Sequence, residues 1–352
     1  MQILYWFQKI RNPFLNFIFS GITYLGDEIA LMLIAIVLFW CVNKRSGYYM
    51  LVSGFFGIIV NQVLKLACKI PRPEKISSDI KIVESAREAA QGYSFPSGHT
   101  QNAVTVFGSI FLIAKKTWVK IVAVVLATLV GVSRMYLGVH TLWDVVAAAG
   151  CAIIILLVLE ELFKDDEMFH KAMPYISAAL VLCSVGFFLY ACVFTPASTE
   201  PNILSAKKNA LTLLGCSAGL LLVYPLDRFV IKFDTKSSWY GNVIKVVGGF
   251  AIVMLLRALK GPLNSILGDY ERPLRYFLII AFGGAGWPYM FRYINMIKID
   301  ALDRLGAKVK SIFCKNEPEP VAVTEAPHKL NFKNNNKSSK SKNSKSKNSK
   351  KK

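Results

Sequence analysis

Apolar residues along this chain gather into long runs, cut by short polar segments that carry Pro, Lys or Arg. A bilayer core of about 30 Å takes roughly 20 apolar residues in helical form. Nine runs approach that length, at about residues 25–42, 48–68, 97–115, 121–137, 141–163, 174–194, 210–226, 243–256 and 276–293. They predict an all-α, polytopic helical membrane protein with about nine transmembrane helices, since helices satisfy their own backbone groups in lipid. Ahead of them, Ile3, Trp6, Phe7, Ile10, Phe14 and Phe17 recur at helical spacing with Lys9 and Arg11 between them. Residues 1–23 are therefore expected to form one amphipathic helix lying in the interface. A motif-bearing core is expected over 24–163 and an additional four-span region over 164–297. From 298 to 352 the chain turns polar and ends in an Asn/Ser/Lys tail, too poor in apolar residues to fold.

Composition agrees with that organisation. Of 352 residues, 54% are hydrophobic, and their delivery in runs overrides the two soluble domains that length alone suggests. The net charge is +20, and ten Lys from Lys329 onward, without Asp or Glu, supply half of it. Such charge needs no nucleic-acid partner, because topology signals and anionic lipid headgroups account for it. Placing Lys44-Arg45 inside also puts Lys115-Lys116, Lys164 and the tail inside, after nine spans. The expectation is a multi-pass cell-membrane protein with a cytoplasmic C-terminus. A homo-oligomer is compatible with this pattern. The seven Cys are odd in number and mostly sit in apolar runs, which reads as small core residues. Neither they nor the four His show metal-ligand spacing, so no metal and no cofactor is expected.

Against this apolar background a few ionisable residues stand out. Ser133-Arg-Met-Tyr-Leu-Gly-Val-His-Thr-Leu-Trp-Asp144 places Arg134, His140 and Asp144 at the junction of two runs. A charge at the bilayer centre costs about 2.5–3.5 kcal/mol, so such residues usually mark function. His140 and Asp144 are four apart, on one face of a helix. A carboxylate on one imidazole nitrogen fixes the tautomer and frees the other as base or nucleophile. Upstream, Pro96-Ser97-Gly98-His99 opens a run; a helix N-terminus there offers free N–H groups to an anion. Lys65 and Arg72 precede it, and with Arg134 they make three cations suited to phosphate. Taken singly, each feature also reads as a cap or a flanking charge. Leu259-Lys260 and Glu271-Arg272-Pro273 faintly echo the first set, but the spacing is wrong and no His follows.

Together these read K-x6-R-P, P-S-G-H and S-R-x5-H-x3-D, in order and without a gap. That set resembles the type 2 phosphatidic acid phosphatase superfamily of lipid phosphate phosphatases, over residues 24 to 163. The resemblance implies His140 as nucleophile forming a phosphohistidine, Asp144 as its orienter and His99 as acid/base. It implies Lys65, Arg72, Ser97, Gly98 and Arg134 as phosphate-binding residues, and no metal. By the alternation above, all three motifs fall on the outer face. The expected partners are the membrane, a phosphorylated lipid substrate, and anionic headgroups for the basic tail. The layout, with four spans after the core, resembles the sphingosine-1-phosphate phosphatase branch, whereas Gly98 is more like bacterial members. The lipid stays open between monoesters and diphosphates. A lipid phosphotransferase using the same site, and a lipid transporter, remain alternatives.

Overall fold

A computed structural model describes residues 1–87, 90, 92–193, 201–297, 299–304 and 308. Of the tail expected from 298 onward, only 299–304 and 308 are among them, so the tail's expected disorder and lipid contact lie outside the described residues. Met1–Arg304 is one compact unit. All regular elements in the described residues are helical.

The N-terminal stretch is two helices rather than one, α1 (Gln2–Ile10) and α2 (Pro13–Thr23). The break is local chemistry: Asn12 caps α2 by accepting from Leu15 N at 2.9 Å, and Pro13 takes a first-turn position. The apolar face of α1 is turned partly inward, with Leu4 and Phe7 buried, while Trp6, Phe14 and Phe17 stay exposed. A 3-10 turn leads to α3 (Glu28–Val37), and Asn43 then caps α4 (Lys44–Cys68) through Ser46 N at 3.0 Å. At 25 residues α4 is about 38 Å long, enough to cross a bilayer. It ends where Lys69 adopts a left-handed conformation, φ 50°. The one-turn α5 (Pro73–Ile76) and an irregular loop return to α6 (Gly98–Ile113), α7 (Thr117–Tyr136) and α8 (Leu142–Leu162). Then come α9 (Asp166–Val193), α10 (Pro201–Pro225), α11 (Trp239–Ala258), α12 (Lys260–Leu267) and α13 (Glu271–Ala281).

Among the described residues six helical stretches are long and apolar enough to cross a membrane. The number is seven if Pro13–Gly26 and Glu28–Val42, bent by 55°, make one span. The expected nine is not reached on that measure, for two reasons. Helix α6 has only 16 residues, about 24 Å. The runs at 243–256 and 276–293 lie in one stretch, Trp239–Ile294. That stretch folds back on itself: Trp287 Nε1 donates to Lys245 O at 2.8 Å across 42 residues of sequence, which a straight helix would separate by about 63 Å. The cysteines also differ from the reading as core residues. Of the six described, only Cys216 is buried, and Cys68 and Cys183 are exposed.

The up-and-down order places the site. The end of α4, the start of α6, the end of α7 and the start of α8 fall at one end of the bundle, and α10 also starts there. The first motif runs across the end of α4, the second opens α6, and the third spans the end of α7 and the start of α8. The N-terminal helices brace this end. Arg11 Nε and Nη2 donate to Tyr136 O at 3.0 and 2.6 Å, and Nη1 donates to Lys81 O at 2.5 Å. Gly138, at φ +81°, makes room there, since a Cβ would meet Arg11 and the Lys81 carbonyl.

Candidate active site

His140 sits in the turn between α7 and α8 and is buried, 2% exposed. Thr141 then caps α8, and Asp144 answers it: Asp144 N donates to Thr141 Oγ1 at 3.3 Å and Thr141 N donates to Asp144 Oδ2 at 2.7 Å. This capping box fixes the carboxylate one helical turn beyond the imidazole. The direct contact, Asp144 Oδ2 to His140 Nδ1, is 3.5 Å. Ser94 supplies a shorter route. Its Oγ donates to Asp144 Oδ2 at 2.6 Å and lies 3.3 Å from His140 Nδ1. A serine hydroxyl has one proton, and here the carboxylate takes it. The Ser94 oxygen must then accept from Nδ1–H, which leaves Nε2 with its lone pair. Burial drives the His140 pKa well below its ordinary 6.5; the bond to Asp144 opposes this, and Arg72, Arg134 and Lys65 reinforce it. The ring is therefore neutral at physiological pH.

The cations converge on the same place. Arg72 is buried, with Nη1 3.5 Å from His140 Nε2 and 3.2 Å from the Val139 carbonyl it donates to; its Nε donates to Gly92 O at 3.0 Å. Lys65, in the last turn of α4, donates to Tyr93 O at 2.8 Å. Arg134 is 1% exposed and donates from Nη1 to Thr23 Oγ1 at 2.7 Å. Its Nε and Nη2 are buried and have no hydrogen-bond partner among the described residues. Leaving such donors unmet costs about 1–3 kcal/mol each, more for a charged group.

Ser97 caps α6, its Oγ accepting from Thr100 N at 3.4 Å and from Thr100 Oγ1 at 2.9 Å. Its own N–H donates to Asp144 O at 3.0 Å, tying the second motif to the third. Asn61 and Gln101 hold the loop from beneath: Asn61 Nδ2 donates to Pro96 O at 3.3 Å and to Gln101 Oε1 at 3.2 Å. His99 lies in the first turn of α6, and Gly26 packs so closely on its carbonyl that a Cβ would clash.

Lys65, Arg72, Gly98, His99, Arg134 and His140 all line one cavity of about 330 Å³. Asp144 and Ser97 stand behind this wall, joined to it by the bonds above. The other lining residues include Asp27, Glu28, Asn61, Gln101 and, from α10, Asn202, Ser205 and Asn209. A larger groove of about 600 Å³ runs between α7 and α8 over the other side of α6. Its lining, from Val104 and Phe107 to Leu157, carries no ionisable side chain, so chemistry belongs to the smaller cavity. Among the described residues no group of three or more His, Cys, Asp or Glu gathers as metal ligands. The echo of the first motif comes to nothing here: Glu271 is bonded to Arg275 Nε at 2.6 Å, a buried ion pair within α13.

Nothing in the sequence pointed to Ser94, Thr23 or Arg11 as partners of the site, because a serine in a polar loop, a threonine at a helix end and a basic residue between two apolar stretches do not show what they touch. Asn202, Ser205 and Asn209 do share a helical face, but at the start of a span they look like ordinary headgroup-level polarity.

Comparison with known proteins gives the family. The profile of the PAP2 superfamily matches residues 46–166, and that of the PAP2 superfamily phosphatase transmembrane extension matches residues 211–298. Phosphatidylglycerophosphatase B of Bacillus subtilis is 34% identical over 175 residues, 46% of this chain and 82% of that protein. A dihydrosphingosine 1-phosphate phosphatase of Schizosaccharomyces pombe is 28% identical over 297 residues, 77% of this chain and 71% of its own. Undecaprenyl-diphosphatase BcrC of B. subtilis is 32% identical over 127 residues, 36% of this chain and 63% of its own. No solved structure matches. The chain belongs to the PAP2 superfamily, as a multi-pass membrane phosphatase with the family's transmembrane extension.

Proposed function

We propose that this protein hydrolyses the phosphate ester of a lipid, monoester or diphosphate, through a phosphohistidine on His140, at the outer face of the membrane. The observation that carries the reading is Arg134: a buried guanidinium with two unpartnered donors, lining one cavity with the lone-pair nitrogen of His140. Such an arrangement suits an anion with several acceptor oxygens.

The steps follow from the groups present. The phosphate binds against Arg134, Arg72 and Lys65, with the α6 N-terminus at Gly98 adding its free N–H groups. Nε2 of His140 attacks phosphorus; the P–N bond forms as the bond to the leaving oxygen breaks, that of the lipid alcohol in a monoester or of the inner phosphate in a diphosphate. His99, protonated once the negative charge of the bound phosphate offsets the neighbouring cations, gives its proton to that oxygen. Asp144 and Ser94 stabilise the positive charge that develops on the imidazole, as an orienting carboxylate does elsewhere. His99, now neutral, takes a proton from water, whose oxygen attacks phosphorus. The P–N bond breaks, inorganic phosphate leaves, and His140 is neutral again.

Charge alternation supports the outer face. Lys44-Arg45, Lys115-Lys116 and Lys164 sit at the helix ends remote from the motifs, where the positive-inside rule expects the cytoplasm. Purified protein in detergent should release inorganic phosphate from a panel of lipid phosphates. Transfer to a second lipid with no free phosphate would favour the phosphotransferase alternative.

A further inference from the structure

The wall that α10 gives the cavity belongs to neither matched segment: residues 202–209 fall between 46–166 and 211–298. Asn202, Ser205 and Asn209 stand at i, i+3 and i+7, one face of a helix, and all three line the cavity that holds His140 and Arg134. They are half-buried, and their side chains make no hydrogen bond within the described residues. Further along α10, Ala210, Leu213 and Leu220 pack into the core, and the polar Thr212 and Ser217 bond back to the helix's own carbonyls, Lys208 O at 3.1 Å and Leu214 O at 3.2 Å. The amide and hydroxyl groups of α10 left without a bond are thus confined to the two turns that face the cavity. Amide and hydroxyl groups are poor competitors for a phosphate already offered two guanidiniums and an ammonium. They suit a group that both donates and accepts. An ionised carboxylate such as Asp27, on another part of the lining, offers acceptors and no donor.

We infer that Asn202, Ser205 and Asn209 read the headgroup next to the phosphate, and that the preferred substrate bears a hydroxyl or amine within a few bonds of the phosphoester. That chemistry describes glycerol- and amino-alcohol-based lipid phosphates and excludes a preference for polyprenyl phosphates, whose chain starts as hydrocarbon. The inference rests on the phosphatase reading above. It gives the second half of the chain a part in selection, because α10 lies beyond the motif-bearing core.

The test compares kcat/KM for three probes of equal chain length: a 1-acyl-glycerol 3-phosphate with its free hydroxyl, a sphingoid 1-phosphate with its amine, and a straight alkyl phosphate. One neutral hydrogen bond is worth roughly tenfold or less. Wild type should prefer the first two by at least about tenfold. Asn202→Leu/Asn209→Leu should bring that ratio toward one through the KM of the polar probes, and Ser205→Ala should move it the same way by less. Thermal unfolding in detergent verifies that the variants fold, and Ser205→Ala, which removes one oxygen, carries the test if the double variant does not. An unchanged ratio in the variants, or a wild type that favours the alkyl phosphate, overturns the inference while leaving the phosphatase reading intact. No phosphate from any of the three probes, with phosphate released from a polyprenyl diphosphate, overturns the inference alone; no phosphate from that lipid either sinks the phosphatase reading and the inference with it.

Discussion

The two ends of this bundle carry similar residues and treat them in opposite ways. At the end remote from the motifs, a cavity of about 380 Å³ is lined by Lys44, Arg45, His170, Asp166, Asp227 and Arg228 among others. There Lys44 and Arg45 are closed by the protein's own carboxylates. Lys44 meets Asp227 at 2.7 Å, Arg45 meets Asp166 at 3.0 Å, and Tyr224 OH lies within 3.0 Å of His170 Nδ1 while accepting from Arg228 at 3.1 Å. At the motif end, Lys65 and Arg134 donate only to neutral oxygens, and Arg134 keeps two donors in hand. A cation that finds its carboxylate within the fold is structure. One held in place by carbonyls and a hydroxyl, facing a cavity, is a binding site waiting for an anion. Composition does not separate the two ends; burial and partner identity do, since Arg72 and Arg134 are buried while the Arg45 and Asp166 side chains are 31% and 83% exposed.

The largest effect should come from spoiling the open end. Arg134→Gln should lower kcat by about 10³–10⁵, the range for a guanidinium that neutralises a transferring phosphoryl group. The melting temperature in detergent should not fall, because a desolvated charge without a carboxylate has been removed. A variant that loses stability and activity in step would make Arg134 structural and erase the contrast.

Ser94→Ala should reduce kcat by about tenfold with KM nearly unchanged, since the direct Asp144 contact of 3.5 Å remains. Ser94→Thr, which keeps the hydroxyl, should restore most of the loss. Equal activity in all three proteins would show the relay through Ser94 to be incidental.

At the closed end the readout is reversed. Asp227→Leu leaves Lys44 uncompensated, with its side chain only 27% exposed. It should destabilise the fold by about 1–3 kcal/mol, seen as a lower melting temperature, with turnover per folded enzyme unchanged. Lys44→Met/Asp227→Leu should recover much of that loss, because an apolar pair can replace an ion pair. A drop in kcat without a drop in stability would mean that this end also takes part in catalysis.

Smaller again is the pH effect of His140. Its folded pKa lies below the unfolded 6.5, chiefly through burial. The unfolded chain therefore binds the proton first. No penalty exists above about pH 6.5, and stability declines as pH falls below it. Wild type should lose melting temperature between pH 6.5 and 5 relative to His140→Asn. Parallel curves would mean that the ring is not buried neutral.

The residues of the open end were legible in the sequence because ionisable side chains interrupting apolar runs have few structural excuses. His140, Asp144, His99, Lys65, Arg72 and Arg134 were singled out by the joint occurrence of three motifs that resemble a known family, and the all-helical membrane fold by run length. Ser94 could not be found, since nothing marks one serine in a polar loop until Asp144 is seen accepting from it. The two helices at the N-terminus were hidden because Asn12-Pro13 interrupts the backbone without interrupting the apolar period. The count of nine spans is left unconfirmed where α6 is short and where Trp239–Ile294 doubles back, since a run of apolar residues does not report its own turns. The pairing at the closed end was also unreadable: Lys44 and Asp227 are 183 residues apart in the chain.

The central claim is that the open end makes a covalent phosphoenzyme on His140. Rapid quench of the purified protein with radiolabelled lipid phosphate, followed by alkaline gel separation, tests it directly. Wild type should show a protein-bound label that is acid-labile and base-stable. His140→Ala should show none and no turnover. His99→Ala should accumulate the label with a lipid diphosphate, whose phosphomonoester leaving group departs without help from an acid, and not with a monoester. Label retained in His140→Ala, or absent from wild type while phosphate is being released, would contradict the account.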